Sequence, residues 1–200
     1  MGQWWENNPQ RGLANNSIAY TEKPDSETFL EEWLSLVKSK SGERGIFNRA
    51  AAQEQASKWG RRSSELNYGT NPCSEIILRD KQFCNLTEVV VRADDTFDSL
   101  SRKVRLATIL GTIQSTLTNF QFLSEEWKKN TEEERLLGVS LTGIMDNWIL
   151  SKPVTTTPNG DTVLLSQWLE ALRHTARETN EEFAKRLGVS ASVAITCVKY

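Results

Sequence analysis

The sequence predicts an α/β protein because long segments with apolar residues every three or four positions alternate with short runs of β-branched and aromatic residues. That alternation argues for parallel pairing of the strands. Size agrees: 200 residues with 38% hydrophobic and 25% charged content suffice for one domain with a sizeable core, and residues 1-200 are read as a single domain.

Taken in order, the first twenty residues are rich in Asn, Gln and Gly and lead through Leu13-Ala-Asn-Asn-Ser-Ile-Ala-Tyr20 into a short strand. Pro24-Asp25-Ser26 supplies a turn and an N-cap, and Phe29, Leu30, Trp33, Leu34 and Val37 share one face of a helix over residues 27 to 39. Gly45-Ile-Phe-Asn48 reads as a buried strand entering an Ala-rich helix around 49 to 59. From Ile76 to Val91 two extended segments are expected, divided by the turn-like Arg79-Asp-Lys81.

Asp94-Asp-Thr96 caps a long helix in which Leu100, Val104, Ala107, Leu110, Ile113, Leu117 and Phe120 form one continuous apolar face. A second helix is expected over 132 to 150, where the small residues of Gly138-Val-Ser-Leu-Thr-Gly143 allow close packing, followed by a Thr-rich loop from Pro153 to Gly160. Leu165, Trp168, Leu172, Ala176, Phe183 and Leu187 mark a third long helix, which ends on Gly188. Val193 to Val198 reads as a buried strand.

Composition excludes some classes of function. A net charge of -2 without a basic stripe gives no footprint for nucleic acid. No apolar run approaches the roughly 20 residues that span a bilayer, and Met-Gly-Gln-Trp-Trp-Glu lacks the regions of a secretory signal, so a cytoplasmic protein without membrane contact is expected. Cys73, Cys84 and Cys197 are too few, and odd in number, for a disulfide framework, and they are read as reduced thiols. With a single histidine, His174, and no close ligand pairs, no metal site is expected.

Asn71, Cys73 and Glu75 alternate, so in an extended segment their side chains project to one side, and Pro72 biases Asn71 toward such a conformation. A carboxylate can take a hydroxyl proton, an amide can hold a substrate, and sulfur between them can do redox or radical work. On residue types alone the plainer reading is a loop with a buried cysteine and a solvated glutamate.

The wording of the motif goes further. Asn-Pro-Cys-x-Glu over 71 to 75, followed eleven positions after Cys73 by Cys84 in Phe83-Cys-Asn-Leu86, resembles the signature of adenosylcobalamin-dependent (class II) ribonucleotide reductase catalytic subunits. Asn15 to Tyr20, Gly42 to Arg49, Gly138 to Gly143 and Ile195-Thr-Cys-Val-Lys199 resemble segments of the same family in the same order. The resemblance implies part of a ten-stranded α/β barrel with a central finger loop carrying the radical cysteine, Cys73. It implies that the Cys73 thiyl takes the ribose 3′ hydrogen, Glu75 takes the 3′-hydroxyl proton, Asn71 binds substrate, and Cys84 is one of two cysteines oxidised to a disulfide as the substrate is reduced.

It further implies adenosylcobalamin as cofactor, ribonucleotides (triphosphates before diphosphates) as substrates, a deoxynucleotide effector and a thioredoxin-type reductant. Asn8-Pro-Gln-Arg-Gly12 resembles the loop that relays effector identity to the substrate base, with Gln10 and Arg11 as its contacts. Cys197 matches a family position, although a thiol in an apolar strand is most often inert core.

The chain departs from the family's pattern in having no cysteine before Cys73, no Pro-Ser-Gly-Thr after Val198-Lys199, no C-terminal cysteine pair and no recognisable cobalamin-binding region. It is therefore expected to be one piece of a split or truncated catalytic subunit, with the cofactor and the remaining strands supplied by other fragments and the strand at Val193 to Val198 left as an open edge. Two alternatives stand beside this reading. One is a non-catalytic fragment that binds nucleotide or assembles with an intact reductase; the other is a cysteine nucleophile at Cys73 with His174 as its base.

Overall fold

The computed structural model describes residues 4–13, 17–40, 45–58 and 60–196. They fold as two compact units, Met1–Asp80 and Lys81–Tyr200. The first unit starts with the short helix α1 (Trp4–Asn7), a 3-10 turn at Pro9–Leu13 and strand β1 (Ile18–Tyr20). Helix α2 (Ser26–Ser39) begins where Asp25 accepts the Thr28 amide at 2.9 Å. That hydrogen bond, with a second from the Thr28 hydroxyl, holds the Asp25 carboxyl below its usual range. The apolar face predicted for α2 is present but exposed, and no residue of the helix is buried.

Strand β2 (Ile46–Asn48) pairs in parallel with β1, Ile18 opposite Ile46, and is half-buried rather than fully buried at Ile46 and Phe47. It runs directly into α3 (Arg49–Ser57), where Asn48 Oδ1 accepts the Ala51 amide at 3.0 Å as the cap. Strands β3 (Tyr68–Thr70) and β4 (Ile77–Arg79) form an antiparallel hairpin. Ala52, Ala56 and Tyr68 make the small core of this unit, flanked by Phe47, Leu66 and Ile77.

The second unit is organised on a parallel sheet of β5 (Asn85–Val90), β6 (Leu137–Thr142) and β9 (Ile195–Thr196), with β6 in the centre. Parallel neighbours need a crossover, here helices α4 (Phe97–Gln114) and α5 (Glu125–Glu134) between β5 and β6, and α6 (Leu165–Leu187) between β6 and β9. The N-terminus of α4 is closed by reciprocal hydrogen bonds between Thr96 and Ser99, and α6 ends on Gly188, whose φ of 68° suits a residue without a Cβ. Val89, Val91, Val139 and Leu141 from the sheet, Leu100, Val104 and Ala107 from α4, and Leu172 and Ala176 from α6 form the main core.

Three expectations are corrected here. Residues 137 to 142 are the central strand β6 rather than part of a helix over 132 to 150, and helix α5 ends at Glu134. A central strand of a parallel sheet is buried on both faces, so Leu-Gly-Val-Ser-Leu-Thr shows no alternation and its small residues resemble a helix-packing motif. The face of α4 is not continuous: Leu110, Ile113 and Leu117 are 63%, 45% and 71% exposed, while Thr108, Gly111 and Thr112 take the buried positions. The Thr-rich segment is a hairpin of β7 (Val154–Thr156) and β8 (Thr162–Leu164) rather than a loop, anchored by Trp168 Nε1 donating to Thr155 Oγ1 at 2.8 Å.

Among the described residues the strands form no closed barrel: β1-β2, β3-β4 and β7-β8 are two-stranded and β5-β6-β9 is three-stranded. No helix among them is long and apolar enough to cross a membrane. Cys197 and the end of the strand expected to reach Val198 lie outside the described residues, as do Asn15, Asn16 and Gly42 to Arg44.

Past the end of β5 a buried carboxylate ties the unit together. Asp95 accepts from Arg92 N at 2.8 Å, Ser99 Oγ at 2.6 Å and Lys103 Nζ at 2.5 Å. Asn147, fully buried, donates to the Arg92 and Asp95 carbonyls and accepts the Ile149 and Leu150 amides, which uses all of its hydrogen-bonding capacity. Gly143 makes the approach possible: its φ is 78° and a Cβ there would meet the Val91 carbonyl oxygen at 2.6 Å.

Burial raises the Asp95 pKa, but the hydrogen bonds from Lys103, Ser99 and Arg92 and the Lys103 charge outweigh it and hold the carboxyl at about 2. A depressed carboxylate stabilises the fold fully above its unfolded pKa, near 3.8, and that contribution is lost as pH falls through about 2. Asp95→Asn is expected to cost about 2 kcal/mol at neutral pH, the scale of hydrogen bonds to a charged group, and to flatten the acid limb of stability between pH about 4 and about 2 in thermal denaturation. An unchanged acid limb would count against this account of Asp95.

Candidate active site

Asn71, Cys73 and Glu75 occupy the connection of the β3-β4 hairpin, whose last paired residues are Thr70 and Ile77. The stem of that hairpin is held firmly. Tyr68 is fully buried, its hydroxyl donates to the Ser63 carbonyl at 2.7 Å, and its own carbonyl accepts Arg49 Nε at 2.9 Å. Arg62 covers the Tyr68 ring at 4.7 Å and donates to the Ile77 carbonyl at 3.0 Å, and Gln53 on α3 donates to the Leu66 carbonyl at 3.1 Å.

The connection is a tight turn, not the extended segment expected from the alternation of the three residues. Ser74 N donates to the Asn71 carbonyl at 3.0 Å, closing a β-turn with Pro72 and Cys73 at its centre. Ser74 then takes a left-handed φ of 60°, and Asn71 Oδ1 accepts the Ile76 amide at 3.3 Å. Pro72 fixes φ near a value that a turn and an extended strand both accept, which is why sequence alone did not separate them. In consequence Cys73 is exposed at the tip, whereas the Glu75 carboxylate oxygens are buried behind it and Asn71 Oδ1 is engaged within the loop.

Cys84 belongs to the second unit, in the irregular stretch between the turn at Lys81 and strand β5. It is half-buried, forms no disulfide, and lines a cleft of about 630 Å³ with Phe83, Leu117, Phe120 and Phe122. Phe83 stacks on Trp127 with ring centroids 4.7 Å apart and meets Phe120 edge-on at 5.1 Å. Gln10 and Arg11 lie on the 3-10 turn Pro9–Leu13 rather than in an open loop; both are exposed, and Gln10 Nε2 is 3.4 Å from Asn8 Oδ1. His174 lies on an exposed part of α6, with Nδ1 3.2 Å from Glu178 one turn later.

Among the described residues no three His, Cys, Asp or Glu side chains are grouped for a metal ion. Sequence reasoning passed over the buried polar residues Gln82, Asn130, Thr131 and Glu134, whose hydrogen bonds hold the two residues that precede Cys84. Glu134 gave no signal because it ends the acidic run Glu132-Glu133-Glu134, which reads as a solvated helix face.

The comparisons with known proteins agree with the motif. Residues 11–193 match the model of the ribonucleotide reductase barrel domain. The chain is 27% identical over 215 residues to an adenosylcobalamin-dependent ribonucleoside-triphosphate reductase of Lacticaseibacillus paracasei, an alignment covering 94% of this chain and 27% of the relative. The chain thus spans about a quarter of that relative's length. No solved structure matches it significantly. With nearly the whole chain matched, and with the Asn-Pro-Cys turn at the end of an anchored hairpin, the protein belongs to the ribonucleotide reductase barrel-domain family.

Proposed function

We propose that this chain supplies the radical cysteine of a ribonucleotide reductase, converting ribonucleoside triphosphates to 2′-deoxyribonucleotides within the assembled enzyme. The observation that carries the reading is the position of Cys73 at the tip of a hairpin whose stem is locked to α3, with a shielded carboxylate two residues away. The hairpin plays the part of the family's finger loop.

In this mechanism the Cys73 thiyl radical, formed by the radical generator of the assembled enzyme, takes the 3′ hydrogen of the ribose and leaves a C3′ radical with the thiol restored. Glu75 accepts the 3′-hydroxyl proton, and the 2′-hydroxyl takes a proton from a pair of thiols and departs as water. That pair supplies two electrons and its second proton to the substrate as it becomes a disulfide, Glu75 returns its proton, and Cys73 returns the hydrogen to C3′ and is a thiyl again. Cys84 is one of that pair, and a thioredoxin-type dithiol reduces it again. A carboxylate shielded from water is suited to such a proton transfer, because it need not shed a hydration shell as the reaction proceeds. Asn71 offers its Nδ2 to the substrate, since Oδ1 is engaged by the Ile76 amide. Gln10 and Arg11 read the base state set by a deoxynucleotide effector.

The relative is named as adenosylcobalamin-dependent, and that cofactor would supply radical chemistry when bound. The described residues show no fit to it: the chain's single histidine, His174, is exposed on α6 with Nδ1 3.2 Å from Glu178. No residue of this chain is therefore assigned to the cofactor.

The test is an assembly of this chain with the rest of its reductase, supplied with ribonucleoside triphosphate, adenosylcobalamin and a dithiol. Cys84→Ser should preserve exchange of the 3′ hydrogen but stop clean product formation, giving base release or a trapped radical in its place. Normal multiple turnover by this variant would remove Cys84 from the mechanism.

A further inference from the structure

We infer that the buried side chains of Gln82 and Glu134 are positioning residues for Cys84, forming a clamp that fixes the chain on both sides of the thiol. The inference rests on the redox role proposed for Cys84. Gln82 and Glu134 are each only 5% exposed, and a glutamate buried this deeply is uncommon without a dedicated partner. Gln82 Nε2 donates to Glu134 Oε2 at 2.7 Å and to the Asn130 carbonyl at 3.0 Å. The next residue, Phe83, directs its amide to Thr131 Oγ1 at 3.4 Å. On the other side of the thiol, Asn85 donates to the Leu136 carbonyl from its backbone at 2.9 Å and from its side chain at 3.1 Å.

The placement of these bonds is informative. Residues 82 to 84 belong to no helix or strand, so no ladder holds them. They are held instead by one face of α5, where Trp127, Asn130, Thr131 and Glu134 follow the three- and four-residue spacing of a helix. Lys81, in a left-handed conformation at φ 49°, starts the stretch and pairs with Glu126 at 2.5 Å on the same helix.

For stability alone, an apolar pair of similar volume would serve this position as well as a buried polar pair. What the polar pair adds is directional: it specifies one backbone path, and that path leaves Cys84 lining the cleft while its neighbours are tied down. A thiol that must meet a second thiol, and then an external dithiol, gains from keeping one place through both reactions.

The experiment uses the full chain and reads native-state alkylation by iodoacetamide at each cysteine separately, by peptide mass spectrometry. In the double variant Gln82→Met with Glu134→Leu, Cys84 should react about tenfold faster, as expected when one or two net hydrogen bonds of local closure are lost, while Cys73 stays at its wild-type rate. Glu134→Gln keeps an acceptor for Gln82 and should leave Cys84 at the wild-type rate. An unchanged Cys84 rate in the folded double variant overturns the inference. So does a parallel rise at Cys73, which would report general loosening, or a rise in Glu134→Gln as large as in the double variant. Should the double variant not fold, Thr131→Val tests the same clamp by removing the acceptor of the Phe83 amide; about threefold faster alkylation of Cys84 supports it and no change overturns it. Alkylation needs no turnover, so this outcome is independent of whether Cys84→Ser blocks reduction.

Discussion

Cys73→Ala, placed in an assembly that turns over, is expected to abolish deoxynucleotide formation while leaving the chain folded. The side chain is exposed at the centre of a β-turn whose closing hydrogen bonds come from Ser74 N, Asn71 O and Asn71 Oδ1, none of which the substitution touches. Exposed substitutions of this kind usually change stability by no more than about 0.5 kcal/mol, so a loss of activity cannot be assigned to unfolding. Cys84, the other cysteine among the described residues, belongs to a different stretch of chain, between Lys81 and strand β5. Product formation and melting temperature, measured on the same preparation, check this; turnover near the wild-type rate would remove Cys73 from the chemistry.

Glu75→Gln is expected to slow turnover by roughly 10²- to 10⁴-fold, the range that a positioned general base supplies, with a much smaller change in nucleotide affinity. The substitution is nearly isosteric and keeps a hydrogen-bonding end in the buried position behind the tip. It removes only the ability to hold a proton. Parallel determination of kcat and of equilibrium nucleotide binding separates the two effects. Equal losses in both, or a large fall in melting temperature with kcat preserved, would make Glu75 a structural carboxylate.

Much of the fold could be read from local signals because several elements announce themselves by their ends. Asp25 before α2, Thr96 before α4 and Gly188 after α6 each satisfy or release backbone groups in a way that few residues can, so those boundaries were legible. Elements defined by tertiary context were not. Strand β6 is flanked by β5 and β9, and its burial on both faces erases the alternation that would have marked it. The buried face of α4 runs through Thr108, Gly111 and Thr112, the two threonine hydroxyls bonding back to the Val104 and Thr108 carbonyls of the helix itself, so hydropathy pointed to Leu110 and Ile113 instead.

The candidate site divides in the same way. The motif around Cys73 was legible because Asn, Pro, Cys and Glu are chemically distinctive at that spacing, but its conformation was not, since Pro72 suits both a turn and an extended segment. The clamp on Cys84 left no trace in sequence because Gln82 and Glu134 are 52 positions apart and each looks like a surface residue in its own neighbourhood.

The central claim, that Cys73 is the group that takes hydrogen from the ribose, is tested most directly with ribonucleoside triphosphate tritiated at C3′. In the assembled reductase the account predicts that some tritium passes to water during turnover by the wild-type chain and by Cys84→Ser, and that none does so in Cys73→Ala. Tritium release that persists in Cys73→Ala, or deoxynucleotide formation by the wild-type chain with no kinetic or exchange effect at C3′, would contradict it.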